Sequence, residues 1–492
     1  MLNVERGRMK DGGGARRASL PRMKRIAAAV MIASLAGCAT MAAPPLPEQT
    51  MPAGWKHTDT PRGTLEASWP DPSWWNNFGS PELVSLIQSA EQNNHDLAAA
   101  GHRIAQARGN LRVAQSASAP TLDLSANAGR SGSDGGSAGN SFRVGLSANY
   151  ELDLWGKNRA IGDAAGASLS ASGYARETAR ITVVADTAAA YFQILSLSDR
   201  LDTAQQQLAN AREFLKLLDV QRNAGAISQL EVERQRNLVA SLEASIPPIV
   251  QNREQTLDAL AVLLGVTPQE IRVKGGSLSD LKLPSLAPGL PSELLVRRPD
   301  LRKAEADLVA AGANLQAARA AMLPRVELSI GSALQAVTLG GLTGPGALVW
   351  SLASGIFQSI FDGGRLAGQR DVADARRNEL IENYRQAILV SLRDVEDALV
   401  ALKNLTQQQE AQQRALDHAR EAYRLAEVRW RAGAQDFTTV LDAQRSLISA
   451  EAALDPILSA RFDATVALFK AVGGDWNATA QPVVAQAAVE KK

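Results

Sequence analysis

Phe142-Arg-Val-Gly-Leu-Ser-Ala-Asn-Tyr-Glu-Leu-Asp-Leu154 alternates apolar and polar residues without a break. In an extended chain successive side chains point to opposite sides. Phe142, Val144, Leu146, Ala148, Tyr150, Leu152 and Leu154 therefore share one face, and Arg143, Gly145, Ser147, Asn149, Glu151 and Asp153 the other. At about 3.3 Å per residue the strand is roughly 40 Å long. The same alternation precedes it. Leu122, Leu124, Ala126 and Ala128 are interleaved with Asp123, Ser125 and Asn127, and the Gly- and Ser-rich stretch 130–140 reads as the turn between the two strands. Strands that are half polar over this length suit one wall of a soluble sandwich. They equally suit a transmembrane barrel with one face to lipid and one to water.

The pair has a second copy. Val326, Leu328 and Ile330, then Leu334 and Ala336, are followed by a Gly-rich turn and the less regular Leu348, Trp350 and Leu352. Its surroundings repeat as well. Asp96-Leu97 and Asp300-Leu301, Ala107 and Ala311, Leu111 and Leu315, Ala114 and Ala318, and Pro120 and Pro324 all stand 204 residues apart. Ala224-Gly225-Ala226 and Ala432-Gly433-Ala434, and Gly265 and Gly473, stand 208 apart. Several matches in fixed register indicate an internal duplication. Each copy has one order of elements. A helix over Glu82–Ser118 ends at Pro120, a strand pair follows, and two very long helices close the copy. The outward helices run Lys157–Arg222 and Arg365–Arg431, the return helices Ile227–Leu264 and Phe437–Val472. Pro247-Pro248 is expected to interrupt the first return. Leu392, Val395, Leu399, Leu402 and Leu405 form a narrow apolar stripe, while Arg393, Asp394, Asp397 and Lys403 form a charged back. That is coiled-coil patterning rather than the wide face of a globular helix.

The N-terminus reads as an address. Met23-Lys-Arg-Ile-Ala-Ala-Ala-Val-Met-Ile-Ala-Ser-Leu-Ala-Gly-Cys38 is a basic start, a short apolar core and small residues, the pattern of a secretory signal. Met23 is a candidate for the true start. Leu35-Ala-Gly-Cys38 resembles a bacterial lipobox, which makes Cys38 the candidate lipidation site and accounts for a single cysteine in an exported chain. Residue 39 is Ala rather than Asp, which favours the outer over the inner membrane. An outer-membrane address shifts the strand reading toward a barrel. A bilayer tolerates no open sheet edge, and four strands are fewer than the eight of the smallest single-chain bacterial barrels. Several chains must then complete one ring.

Composition limits the function. The chain has 492 residues, with 52 basic against 51 acidic side chains, so nothing in its charge suggests nucleic-acid binding. One cysteine and four histidines supply neither a disulfide framework nor a metal cluster, and no cofactor is expected beyond the covalent lipid. No nucleophile elbow or metal motif points to an enzyme. A purely structural periplasmic lipoprotein remains the competing reading outside transport.

Ser73-Trp-Trp-Asn-Asn-Phe-Gly-Ser-Pro-Glu-Leu83, Leu294-Leu-Val-Arg-Arg-Pro-Asp-Leu-Arg-Lys-Ala-Glu305, Ala318-Ala-Arg-Ala-Ala-Met-Leu-Pro324, Arg431-Ala-Gly-Ala-Gln-Asp-Phe-Thr-Thr-Val-Leu-Asp-Ala-Gln-Arg445 and Gly473-Gly-Asp-Trp476 carry a resemblance. Through them nearly the whole mature chain resembles the TolC-like outer-membrane efflux proteins, in the lipoprotein branch of OprM- and NodT-type factors. The resemblance implies a mainly α chain with membrane β. It implies four barrel strands and long coiled-coil helices per protomer, and a homotrimer forming a twelve-stranded barrel on a periplasmic helical tunnel. It also implies a passive conduit that exports small molecules. Its implied partners are a periplasmic adaptor and an inner-membrane pump of the resistance-nodulation-division type, and it would sit in outer-membrane lipid. The runner-up is the outer-membrane channel of a type I protein-secretion system.

The expected layout follows. Residues 1–37 are the signal, 38–81 a lipidated N-terminal segment reaching the equatorial region, and 82–274 the first repeat, with strands in about 120–154 and long helices in about 157–264. A linker spans 275–291, and the second repeat spans 292–476, with strands in about 324–361 and helices in about 365–472; 477–492 is a tail. The resemblance places the adaptor-facing periplasmic tips at Asn223, Ala224, Gly225, Ala226 and Ile227, and at Arg431, Ala432, Gly433, Ala434 and Gln435. Asp436, with Arg222 and Arg431, is the candidate gate, since three like charges around an axis repel one another. An aspartate after a helix turn is also a good N-cap. Bland roles suit the other clusters: Arg297-Arg298-Pro299-Asp300 as a helix start, Trp69, Trp74 and Trp75 as packing, and Asp362-Gly363-Gly364 as a turn.

Overall fold

The computed structural model describes residues 51–57, 73–284, 286 and 289–476. Trp69, the signal and Cys38 lie outside the described residues.

Each repeat is built from helix, strand pair and helical hairpin. The first has α1 (Pro81–Asn93), α2 (His95–Ser116), β1 (Thr121–Ser131), β2 (Gly139–Leu152), α3 (Lys157–Asn223) and α4 (Gln229–Leu264). The second has a one-turn α5 (Leu294–Arg297), then α6 (Pro299–Ala320), β3 (Arg325–Ala336), β4 (Leu348–Phe357), α7 (Arg365–Arg431) and α8 (Phe437–Ala471). α2 and α6 have 22 residues each, and α3 and α7 have 67 each. A 67-residue helix is about 100 Å long at about 1.5 Å per residue. One 18-residue window of α3 is apolar enough to cross a bilayer, but 67% of it is buried within the protein, as befits a core helix.

Two local readings change. The single helix expected over 82–118 is two, because Asn94 turns out of the helix and its Oδ1 accepts from the backbone N–H groups of Asp96 and Leu97, capping α2. Pro247-Pro248 does not interrupt α4, which runs through both. The prolines sit on the exposed side, so the carbonyls that lose their helical partners there face water. The linker is a loop, as expected, and it is seated on the first repeat. Asp199 Oδ2 accepts from Leu278 N at 2.8 Å, Glu82 Oε1 from Lys274 N at 2.7 Å, and Leu278 is buried.

Each repeat closes on itself at the waist, where the end of its return helix meets the start of its 22-residue helix. Gly265 and Gly473 end α4 and α8 with φ of 66° and 102°, and a Cβ on them would collide with the carbonyls of Asn93 and Arg297 respectively. Next to these contacts, Asn94 Nδ2 donates to Leu263 O at 2.9 Å, and Arg298 Nη1 donates to Ala471 O at 3.0 Å. Leu263 and Ala471 are 208 residues apart, so two different side chains make one tie. Arg298 also holds Asp300 through two nitrogens, at 3.0 and 2.7 Å, and reaches Asp394 at 3.3 Å. Burial opposes its charge, but Asp300 and Asp394 more than offset this and its pKa is raised. Around the tie lies an aromatic core. Trp74 stacks on Phe469 at 4.3 Å, and Phe78 lies 4.9 Å from Phe192.

One core carboxylate lacks such support. Asp463 on α8 is mostly buried with Oδ1 unpartnered, and burial pushes its carboxyl up to about 6. The folded chain then keeps this proton to a higher pH than the unfolded chain, whose aspartates titrate near 3.9. Stability therefore falls as pH rises from about 4 to about 6 and is level above, by on the order of 2 kcal/mol. We expect Asp463→Asn to raise the apparent Tm of the detergent-solubilised protein at pH 7.5 and to leave it unchanged near pH 4, as read by thermal denaturation at the two pH values.

Candidate functional site

The four strands form one antiparallel sheet in the order β1-β2-β3-β4, so the two repeats meet at β2 and β3. The register puts the apolar residues in rows across the sheet. Leu122 faces Ala148, which faces Ile330, which faces Leu352; Leu124, Leu146, Ser332 and Trp350 form the next row. The opposite face carries Asp123, Ser147, Gly331 and Ser351 in one row and Asn127, Arg143 and Gln335 in another. Within the protomer the apolar face is uncovered. Leu124 is 73%, Ile356 75% and Trp350 79% exposed. In water such a face would be an aggregation site, but against lipid it is a fitted surface. β1 and β4 each have one neighbour, so each leaves a row of backbone groups unpaired along its other edge.

At the far ends of the long helices are two turns of nearly identical backbone. In the first, Ala224 N donates to Val220 O, Gly225 N to Arg222 O and Ala226 N to Gln221 O. In the second, Ala432 N donates to Val428 O, Gly433 N to Trp430 O and Ala434 N to Arg429 O. Gly225 and Gly433 have φ of 73° and 71°, the left-handed closure that favours glycine after a helix. Residues 223–226 and 431–434 are exposed, Ile227 and Gln435 half-buried. Return helices start from capped ends: Glu231 accepts from Ser228 N at 2.6 Å, and Asp436 Oδ1 accepts from both Thr439 N and Thr439 Oγ1 at 2.9 Å. The backbone N–H of Thr439, then its hydroxyl, holds the Asp436 carboxyl below its ordinary range, with Arg234 contributing. Arg222 donates to Gln229 and Asn223, and Arg431 to Glu427.

Sequence reading missed three features. Phe214, Trp430 and Phe437 form an aromatic cluster that joins the two hairpins just behind the tips. The N-terminal strap 51–57 docks on the linker and the second repeat, with Trp55 Nε1 donating to Gly289 O at 2.7 Å and the backbone N–H groups of Lys56 and His57 donating to the Glu396 carboxylate. At the other end of the chain, Asp475 takes Arg180 at 3.0 and 2.8 Å, and Trp476 stands edge-on to Tyr174. Only the rings at 430 and 437 had a visible signal, two large apolar residues flanking a turn otherwise made of small and polar ones.

A sheet with an apolar face, a polar face and two unpaired edges, mounted on helices about 100 Å long, is one chain's share of a multi-chain membrane channel. The chain belongs to the outer membrane efflux protein family, whose model matches residues 86–266 and again 290–474, once per repeat. It is 38% identical over 457 residues to the pyoverdine export outer membrane protein OpmQ of Pseudomonas putida, covering 90% of this chain and 96% of that one. It is 32% identical over 451 residues to the probable outer membrane lipoprotein SilC of Salmonella typhimurium, covering 90% and 96%. Among solved structures, the open state of the MtrE outer membrane channel of Neisseria gonorrhoeae superposes with a TM-score of 0.79 at 30% identity, covering 89% of this chain and all of that one. The protein is thus an outer-membrane efflux channel, oligomeric and one part of a tripartite pump.

Cap and charge can be separated at Asp436. Asn is as good an N-cap as Asp, so Asp436→Asn should keep the amide of Thr439 protected from hydrogen exchange, whereas Asp436→Ala should speed its exchange. Equal protection in both variants would show that the carboxylate does not cap α8.

Proposed function

We propose that three copies assemble so that β1 of each pairs with β4 of the next, making a twelve-stranded barrel, and that the helical hairpins form a tunnel below it. The observation that carries this reading is the sheet, with one apolar face, one polar face and both edges open. Three chains of four strands also reach a size at which a barrel leaves a water-filled lumen. Residues 1–37 are removed as a signal, Cys38 carries the lipid, and 38–81 lead to the equatorial region. Residues 82–274 and 292–476 are the repeats, joined by 275–291 and followed by the tail 477–492.

The conduit is passive and its energy comes from an inner-membrane pump of the resistance-nodulation-division type. Small molecules are the cargo, in keeping with the export of pyoverdine for which OpmQ is named. The tips 223–227 and 431–435, exposed at 223–226 and 431–434, meet the periplasmic adaptor. Asp436, with Arg222 and Arg431, lies at the resting constriction, where a ring of three carboxylates favours cations.

A photo-reactive amino acid placed at Ala226 or at Ala434 in intact cells, followed by mass spectrometry, tests the partner. The expected product is an adaptor of a resistance-nodulation-division pump. An adaptor belonging to an ABC exporter would replace this reading with protein secretion.

A further inference from the structure

The two tips share a backbone but not a chemistry. Positions 222 and 430 correspond, as do 229 and 437, each pair 208 residues apart. In the first tip these positions hold a polar pair on the outside, Arg222 Nη1 donating to Gln229 Oε1 at 3.0 Å. In the second they hold Trp430 and Phe437, with ring centroids 6.1 Å apart. Both rings lie against Phe214, which belongs to the shaft of the other hairpin, at 5.3 Å from Trp430 and 5.9 Å from Phe437. The Phe214 and Phe437 planes are within 16° of parallel. Phe437 is 1% exposed, and Leu218, Val232 and Val440 are buried in the same cluster. At its rim Arg234 Nη1 donates to Thr438 Oγ1 at 2.7 Å. Phe437 directly follows Asp436, so the carboxylate rides on a backbone that this cluster holds in place. Any swing of the second tip away from α3 must pull two rings off a third and expose them to water.

We propose that Phe214, Trp430 and Phe437 form an apolar latch that sets the resting position of the second tip, so that closure rests on aromatic packing inside each protomer rather than on the charge of Asp436. The latch deepens the tip reading above and rests on it. Apolar packing is not screened by salt, whereas repulsion and attraction between exposed charges are. That difference separates the two accounts.

The test is the resting conductance of the assembled channel in planar bilayers at about 0.1 M and about 1 M KCl, where the screening length falls from about 10 Å to about 3 Å. Phe214→Ala and Trp430→Ala are expected to raise it several-fold relative to the wild type, by the same factor at both salt concentrations. Phe214→Leu keeps apolar volume without the stacked ring and should fall between. Ser241→Ala, an exposed position on α4 away from the tips, should behave as the wild type. Assembled aromatic variants with wild-type conductance, or an increase that disappears at high salt, would overturn the latch. In a Cys38→Ser background, Ala434→Cys chains joined around the axis by a trivalent thiol-reactive linker report on the tip reading itself. A block by the linker together with wild-type conductance in Phe214→Ala overturns the latch alone. Failure of the linker to block overturns the tip reading beneath it.

Discussion

A backbone N–H or C=O at a sheet edge has no water to bond to inside a bilayer, and leaving it unpaired costs several kcal/mol. This constraint organises the molecule. β1 and β4 are both edge strands, and the face between them is apolar from Leu122 across to Leu352. Four strands of this length cannot curl into a ring of their own. The apolar face therefore commits the sheet to lipid, and lipid commits its edges to other copies of the chain. Oligomerisation is in this sense a requirement of hydrogen bonding, and the channel lumen is what the polar face encloses once the edges are satisfied.

The duplication supplies the rest. A gene product that doubles helix, hairpin and strand pair gives each protomer two rods and two strand pairs with little new design, and the waist shows how the copies were kept compatible. Gly265 and Gly473 preserve one close approach in both repeats. Asn94 and Arg298 preserve one hydrogen bond with different side chains. Arg298 does more than its counterpart, because Asp300 and Asp394 give it work in three helices at once. The copies also diverge at the tips, where a polar pair in one corresponds to an aromatic pair in the other.

Much of this was legible in the sequence, and for a physical reason. Strand alternation over 122–128 and 142–152 follows the period of two that a sheet with one apolar and one polar face requires, and the structure pairs Leu124 with Leu146 as that pattern demands. Glycine at 225 and 433 marks a turn because of its backbone, whatever surrounds it. What stayed hidden depends on surroundings. Asn94 is an ordinary polar residue inside a helical pattern until Leu263 and the N–H groups of α2 meet it. Pro247 and Pro248 are tolerated only because their side of α4 faces solvent. Phe214 sits well over a hundred residues from Trp430 and Phe437, and nothing in local spacing joins them. Cys38 lies outside the described residues, and the proposed tip and gate roles concern partners that a single chain does not contain.

The central claim is that the open edges of one sheet are closed by other copies of the same chain. Native mass spectrometry of the mature protein in mild detergent tests it most directly. A complex of three chains is expected, persisting when detergent is held just above the level that keeps it soluble. A folded monomer with its long helices intact, or a ring of another number, would contradict it.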